Sequence, residues 1–282
     1  MNKYWQELRI IIFGYNQGIP KIILANVVIF LVLSIFKVTT ILASSNIFHS
    51  FFEWIALSSQ PLDFIYKPWT ILTYFFVHID LFHILFNMLF LYWFGILLKD
   101  FIGENSVIRT YFLGGLSAGI IYLITMNSLG FYIQRGPGLL NGASGAIYAI
   151  VVALATIQPF FKIRLFIFGM VPVIAIAAFY VIWSFIETTG SNAGGNVAHL
   201  GGAVYGLIFG INFRNKLSLP KKEKIIAYFQ SENTSHYHPK KLDDEIDETE
   251  IDEILDKISK SGYESLTKWE KKRLFKASQK NE

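Results

Sequence analysis

Apolar residues gather along this chain into six runs, at 22–44, 77–98, 107–129, 143–161, 163–188 and 196–213. Each is long enough, wound as a helix, to cross a hydrocarbon core of roughly 30 Å. An even number of crossings leaves both chain ends on one side. Lys3, Arg9, Lys21, Lys99, Arg109, Lys162, Arg164 and Arg214 then share that side with the Lys-rich tail, while the opposite loops hold little beyond Lys67 and Arg135. Positive loops stay on the cytoplasmic side, so both termini are expected there, in a multi-pass protein of a bacterial cytoplasmic (inner) membrane. The first run reads as an uncleaved anchor, since residues 1–21 lack the basic-apolar-small pattern of a cleaved signal. Lys37, inside that run, is expected to snorkel to the outer surface.

Two regions break the pattern. Residues 45–76 are rich in aromatics (Phe48, Phe51, Phe52, Trp54, Trp69) but too interrupted to span, so they read as an amphipathic outer loop lying on the membrane. After Arg214 the composition turns polar, with the acidic run DDEIDETE, and then apolar residues return at helical spacing, interrupted by Ser261-Gly262. The expected organisation is a cytoplasmic segment 1–21, a six-helix domain 22–213, a polar linker 214–250 and a small appendage of two short helices, 251–282. The fold class expected is all-α, a polytopic bundle with a cytoplasmic helical appendage. A unit this small is marginal alone, so the appendage is expected to dock a cytoplasmic partner rather than to catalyse anything.

Composition sharpens the membrane reading. Hydrophobic residues make up 53% of the chain and charged residues only 16%, so most of it belongs in lipid. The absence of cysteine removes disulfides, thiolate metal sites and a thiol nucleophile. No HExxH pair for zinc and no pair of intramembrane aspartates occurs either, so no metal and no cofactor is expected. The small net charge of +4 gives no reason to expect a nucleic-acid partner.

Polar residues inside apolar spans are costly, and three spans carry them. The second holds His78, His83 and Asn87; the fourth opens with Asn141-Gly142-Ala143-Ser144-Gly145; the sixth holds His199. The inner ends of these parallel spans serve as rulers at 1.5 Å per helical residue. From Lys99 back to His83 and Asn87 is roughly 24 and 18 Å, from Arg214 to His199 roughly 22 Å, and from Lys162 to Ser144 roughly 27 Å. All four side chains therefore fall in one layer, below the outer surface and above the middle.

The chemistry around Ser144 suits a nucleophile. Gly142 and Gly145 remove bulk on both sides, which allows a sharp turn into a helix and close approach of a substrate backbone. Ser144 then sits at a helix N-terminus, where unpaired N–H groups favour a developing oxyanion. A serine hydroxyl needs a base to become a strong nucleophile, and His199 lies at matching depth. Gly202 and Gly206 follow it on one face, a smooth stripe along which the sixth helix can press on the fourth. His78 and Asp80 lie nearer the outer end and read as wet interface or structural residues. G-x-S-G alone is common and usually marks a capped helix start; its coincidence in depth with His83, Asn87 and His199 is what points to chemistry.

The set His78-x4-His83-x3-Asn87, Gly142-Ala143-Ser144-Gly145-x2-Tyr148 and His199-x2-Gly202-x3-Gly206 resembles, in order and in placement, the three signature motifs of the rhomboid intramembrane serine proteases. The likeness covers roughly residues 45–213. It implies a catalytic dyad of Ser144 and His199, Tyr148 packed on the His199 ring, and an oxyanion hole of His83, Asn87 and the Ser144 amide. It also implies transmembrane proteins of the bilayer as substrates. Where that family carries a Trp-Arg pair in its outer loop, this chain has Trp69 followed by Thr70. Glu187 is the one acid near the outer ends of the fifth and sixth spans, and it reads as solvated rather than as an orienter of His199. Two other classes fit part of the pattern: a protein that holds transmembrane helices without cutting them, and a transporter using intramembrane His and Asn. The presence of both Ser144 and His199 counts against the first, and the lack of an evident inverted repeat against the second. If the tail 219–282, linker and appendage together, takes no part in catalysis, its deletion leaves labelling of Ser144 by a fluorophosphonate intact, and loss of labelling in that truncation contradicts the division.

Overall fold

A computed structural model of the chain describes residues 14, 17–165, 169–217, 248–261, 266, 267, 270 and 274. These divide into two units, one ending near residue 219 and one containing the C-terminal helix. In the first, a helix occupies each of the six apolar runs: α1 (Gly18–Leu42), α5 (Leu81–Ile102), α6 (Glu104–Ser128), α8 (Ser144–Ile157), α9 (Val173–Ile186) and α10 (Ala193–Leu217). Between α1 and α5 lie α2 (Ile47–Ile55), strand β1 (Leu57–Ser58), α3 (Pro61–Tyr66) and α4 (Thr70–Thr73), the last continuing as a 3-10 turn through Phe76. A short α7 (Gly130–Arg135) and strand β2 (Leu139–Leu140) connect α6 to α8.

Among the described residues, α1, α5 and α6 are long and apolar enough to cross a membrane by length and composition. At 14 residues each, α8 and α9 are shorter than the expected spans, about 21 Å long against a core of roughly 30 Å. The expectation of helix from residue 163 is corrected. Residues Lys162–Leu165 (β3) pair antiparallel with Gly169–Pro172 (β4), with Ile163 opposite Val171, and helix begins only at Val173. The physical reason is visible in Lys162-Ile163-Arg164-Leu165, whose exposure alternates with period two, and in Pro172, which disfavours helical backbone before it. The other departure from an all-α fold is the two-residue ladder of β1 and β2, Leu57 opposite Leu140 and Ser58 opposite Leu139.

Helix α8 is the axis of the bundle, packed against α5, α6, α9 and α10 and buried over nearly its whole length. Its tightest neighbour is α10. A Cβ at Gly202 would overlap the carbonyl oxygen of Gly145, and one at Gly206 that of Ala149, so the two backbones touch where those glycines stand. Helix α6 closes the third side, with Ser117 Oγ donating to Gly201 O at 2.9 Å. The N-terminus of α1 is capped from α6: the buried Glu104 carboxylate accepts from Gly18 N and, at 3.3 Å, from Ile19 N, and lies 3.4 Å from Lys99 Nζ. Outside, the bundle is apolar, with Val32 and Ile35 on α1, Phe86 on α5, Ile182 on α9 and Ile208 on α10 all exposed, as a surface in contact with acyl chains requires.

The outer loop is more structured than an interfacial segment needs to be. Trp54 and Trp69 stack with centroids 5.7 Å apart, Trp69 Nε1 donates to Trp54 O at 2.8 Å, and Lys67 lies over the Trp54 ring. Thr70, in the place of the family's arginine, is buried and donates to Lys67 O at 2.7 Å. Trp69 is thus anchored within its own loop.

In the second unit, α11 (Glu248–Ser261) ends where Ser261-Gly262 interrupts the apolar spacing. Most of the expected linker, 214–250, and residues 1–13 lie outside the described residues. Beyond α11, Thr267 and Glu270 form a reciprocal capping pair: Thr267 N donates to Glu270 Oε2 at 2.6 Å and Glu270 N donates to Thr267 Oγ1 at 3.3 Å. Lys257 on α11 donates to the same carboxylate at 2.7 Å, which with the Thr267 amide holds the Glu270 carboxyl down at about 2. Ile254 and Leu266 are buried.

If backbone contact between α8 and α10 sets the bundle, a bulky side chain at Gly206 is expected to destabilise it by at least the 1–3 kcal/mol typical of an overpacked core, on the order of magnitude. Thermal unfolding of Gly206→Leu in detergent measures this. The same substitution at the lipid-facing Ile208 leaves the midpoint near wild type.

Candidate active site

The segment leading into α8 is held by hydrogen bonds from several directions. Ser59 N donates to Gly138 O and Gly138 N to Ser59 Oγ, both at 2.9 Å, extending the β1–β2 ladder. Gly142 N then donates to Tyr74 O at 2.9 Å, and Ala143 N to His78 Nε2 at 3.3 Å. Gly142 has φ +111°, outside the range other residues adopt comfortably, and a Cβ there would lie 2.5 Å from His83 Cε1. Glycine is therefore required twice, for its backbone and for its missing side chain. Helix α8 begins two residues later, at Ser144.

Gly145, expected to open the way for a substrate, is used differently. A Cβ at that position would lie 2.5 Å from Ala118 Cβ on α6 and 3.4 Å from Ala198 O on α10. Its lack of a side chain lets three helices converge at the start of α8.

That convergence brings the two candidate reactive groups together. His199 Nε2 lies 2.8 Å from Ser144 Oγ, a hydrogen bond across the α8–α10 contact. Tyr148, one turn along α8, stacks on the His199 ring with centroids 4.3 Å apart and planes 9° from parallel. Both Ser144 and His199 are half-buried.

The Nδ1 edge of His199 meets a residue that the sequence reading passed over. Ser184, on α9 and fully buried, places its Oγ 3.2 Å from His199 Nδ1 and 2.8 Å from the Tyr148 hydroxyl. Tyr148 OH also donates to Tyr180 O at 3.4 Å. Glu187 contributes its backbone carbonyl to this end of α9, accepting from Asn196 Nδ2 at 3.0 Å. A lone serine in the run Val173–Ile186 is a weak signal, because a hydroxyl in an apolar helix is ordinarily satisfied by the carbonyl four residues back.

Helix α5 supplies the third group of residues. Asp80 caps it, accepting from His83 N at 2.9 Å. His78, read as a wet interface or structural residue, is buried, which excludes the first reading and agrees with the second. Its Nε2 accepts from Ala143 N, which can only donate, so Nε2 carries no proton and Asn87 Nδ2, 2.9 Å away, is a second donor to it. One imidazole thus ties the entry to α8 to the Asn87 amide. His83, half-buried one turn before Asn87, packs edge-on against His78 with centroids 5.0 Å apart and borders the Gly142 backbone. A Cβ on Gly142 would be 3.7 Å from Asn87 Nδ2 as well, so His83 and Asn87 flank the same patch of chain just before Ser144.

An apolar groove of about 1200 Å³ opens between α5 and α9, lined by Phe90, Trp93, Phe94, Ile176, Phe179 and Tyr180. Its α5 residues lie further along the helix than His83 and Asn87, on the side of the β3–β4 hairpin, and Tyr180 belongs both to the groove and to the Tyr148 contacts.

Residues 66–216 match the family model of the rhomboid domain, and residues 242–280 match a family of unknown function, DUF6576. Among curated proteins, the RHOMBOID-like protein 12, mitochondrial, of Arabidopsis thaliana is 33% identical over 152 residues, covering 49% of this chain and 44% of the relative. The human presenilin-associated rhomboid-like protein, mitochondrial, is 26% identical over 57% of this chain and 41% of its own length. Rhomboid protein 1, mitochondrial, of Saccharomyces cerevisiae is 29% identical over 52% of this chain and 42% of its own length. The chain thus spans less than half the length of these relatives. All three carry names that place them in mitochondria, which overturns the expectation of a bacterial cytoplasmic membrane and of cytoplasmic termini inferred with it.

If His78 acts as the common acceptor, His78→Ala strands two buried donors at about 1–3 kcal/mol each. Unfolding in detergent should show this loss, and His78→Gln, which keeps an acceptor, should recover part of it. An alanine variant as stable as wild type contradicts the role.

Proposed function

The chain belongs to the rhomboid family, and on that footing we propose that it is an active intramembrane serine endopeptidase that hydrolyses peptide bonds in or near the transmembrane segments of other membrane proteins. The observation that carries this reading is the 2.8 Å contact between Ser144 Oγ and His199 Nε2. A serine within hydrogen-bonding reach of an imidazole is the minimal unit of nucleophilic acyl transfer. His199 takes the hydroxyl proton as Ser144 Oγ attacks the carbonyl carbon, and returns it to the amide nitrogen as the C–N bond breaks. Water, deprotonated by the same imidazole, then hydrolyses the acyl-enzyme.

Charge on the tetrahedral intermediate calls for donors preorganised beside the nucleophile. The Ser144 amide at the α8 N-terminus, His83 and the Asn87 amide are assigned that role, because His83 and Asn87 border the Gly142 backbone that leads into Ser144. Tying Asn87 to His78 keeps its amide from reorienting during reaction. Gly142 leaves room for the substrate carbonyl, and Gly145, Gly202 and Gly206 hold the helices at the distance the dyad needs.

We read α1, α5, α6, α8, α9 and α10 all as membrane crossings, the short ones included. The shortness of α8 is then part of the mechanism: a helix of about 21 Å that ends at the surface bearing the Lys- and Arg-rich loops begins within the bilayer, and so does its Ser144. The groove between α5 and α9 offers an apolar bed for the part of a substrate helix that stays wound, while an unwound segment reaches Ser144. The tail matched by the family of unknown function is read as a docking unit for a partner outside the membrane.

Cleavage of a transmembrane substrate in proteoliposomes tests the proposal. Ser144→Ala and His199→Ala are each expected to lower the rate by about a thousandfold or more, with binding of the substrate retained. Fluorophosphonate labelling that persists in Ser144→Ala, or binding without cleavage in the wild type, would sink it; the second result would favour a protein that holds transmembrane helices intact.

A further inference from the structure

We propose that Ser184 is a positioning residue for this chemistry, acting on His199 through a hydrogen-bond relay that selects the imidazole tautomer able to act as base; the inference rests on the reading of Ser144 and His199 as nucleophile and base. The relay runs from His199 Nδ1 to Ser184 Oγ at 3.2 Å, from Ser184 Oγ to Tyr148 OH at 2.8 Å, and from Tyr148 OH to Tyr180 O at 3.4 Å.

Its direction follows from its last member. A backbone carbonyl only accepts, so the one Tyr148 proton is assigned to Tyr180 O at 3.4 Å, over the alternative in which it goes to Ser184 across the 2.8 Å contact where either hydroxyl can donate. The Tyr148 oxygen is then left to accept from the Ser184 hydroxyl. Ser184, having given its proton to Tyr148, accepts from His199 Nδ1–H. With Nδ1 protonated, Nε2 carries the lone pair, and it is Nε2 that lies 2.8 Å from Ser144 Oγ. The reverse order would put the proton on Nε2, where it would disable the base.

Two features argue that Ser184 is shaped for this. It is fully buried, so no bulk water competes for its hydroxyl. The carbonyl that a serine at this position would ordinarily bond, four residues back, is Tyr180 O, and it receives Tyr148 instead. Tyr148 meanwhile stacks on the His199 ring, so the ring plane and its Nδ1 proton are set by two residues from different helices, α8 and α9.

During reaction the relay moves no proton of its own. As Ser144 Oγ bonds to the carbonyl carbon, its proton passes to Nε2, and the imidazolium so formed keeps its Nδ1 proton, now in a charge-assisted bond to Ser184 Oγ. The Nε2 proton leaves with the amide nitrogen. A neutral hydroxyl stabilises the cation less than a buried carboxylate would, and it introduces no second charge into the bilayer.

The experiment compares wild type, Ser184→Ala and Ser184→Thr in detergent and proteoliposomes, with selective 15N-histidine labelling to read the His199 tautomer, assigned by difference against His199→Gln. Expected are an Nδ1-protonated signal in wild type, a fall of about 10- to 100-fold in kcat for Ser184→Ala at unchanged KM, and recovery of most of it in Ser184→Thr, which keeps the hydroxyl. Wild-type kcat in Ser184→Ala, or an Nε2-protonated His199 in the unaltered protein, overturns the proposal. Should Ser184→Ala fail to fold, the wild-type tautomer decides alone. A wild type that neither takes the fluorophosphonate nor cleaves substrate defeats the protease reading, whereas the tautomer still judges the relay.

Discussion

Backbone contact between α8 and α10 governs the rest of this molecule. At Gly202 and Gly206 the sixth apolar helix has no side chain between itself and the carbonyls of Gly145 and Ala149. In lipid, where helices gain nothing by hiding apolar surface from one another, such close approach lets dispersion and carbonyl contacts hold the pair together. The same contact places His199, one turn before Gly202, beside Ser144, one residue before Gly145. Packing and chemistry share one interface, so the Ser–His distance is inherited from helix geometry.

Around that interface most polar groups are paired in a manner the low dielectric demands, His78 Nδ1 being a buried exception. His78 satisfies both the Ala143 amide and Asn87; Glu104 caps α1; Ser184 and Tyr148 bracket His199. None of these is a surface charge pair. Each joins elements distant in sequence, so the network also fixes which helices meet and at what height. The exterior shows the complementary rule, with large aliphatic and aromatic side chains exposed wherever neighbouring helices do not cover them.

Where the sequence misled about local structure, a stretch was read by itself, whereas its period and its partners decide what it does. Residues 162–172 are apolar enough to count toward a helix, but Ile163 and Leu165 alternate with Lys162 and Arg164, and Pro172 stops helix from growing backwards. A place near the start of its span leaves His78 between a wet and a structural role; the chain leading into α8 folds over it and decides for the second. Gly145 was read for access to Ser144, but α6 and α10 claim the space. Ser184 gave almost no signal, because a serine in a membrane helix usually needs no partner beyond its own backbone.

What the sequence alone supplied is the inventory and an expected depth. The lengths of the apolar runs, the polar residues within them and the 1.5 Å rise of a helix lead to the expectation of Ser144, His199, His83 and Asn87 in one layer. The count from Lys162 to Ser144 overran, because helix ends at Ile157 and Lys162 lies in a strand. Axial position is a local property, legible by counting residues from a charged end. Rotation about each helix, and the choice of neighbour, are not local: they depend on which surfaces fit. Only the tertiary structure could decide that Ser144 faces His199, that Tyr148 lies flat on its ring, and that α9 turns Ser184 toward Nδ1, because those facts belong to the packing of three helices rather than to any one of them.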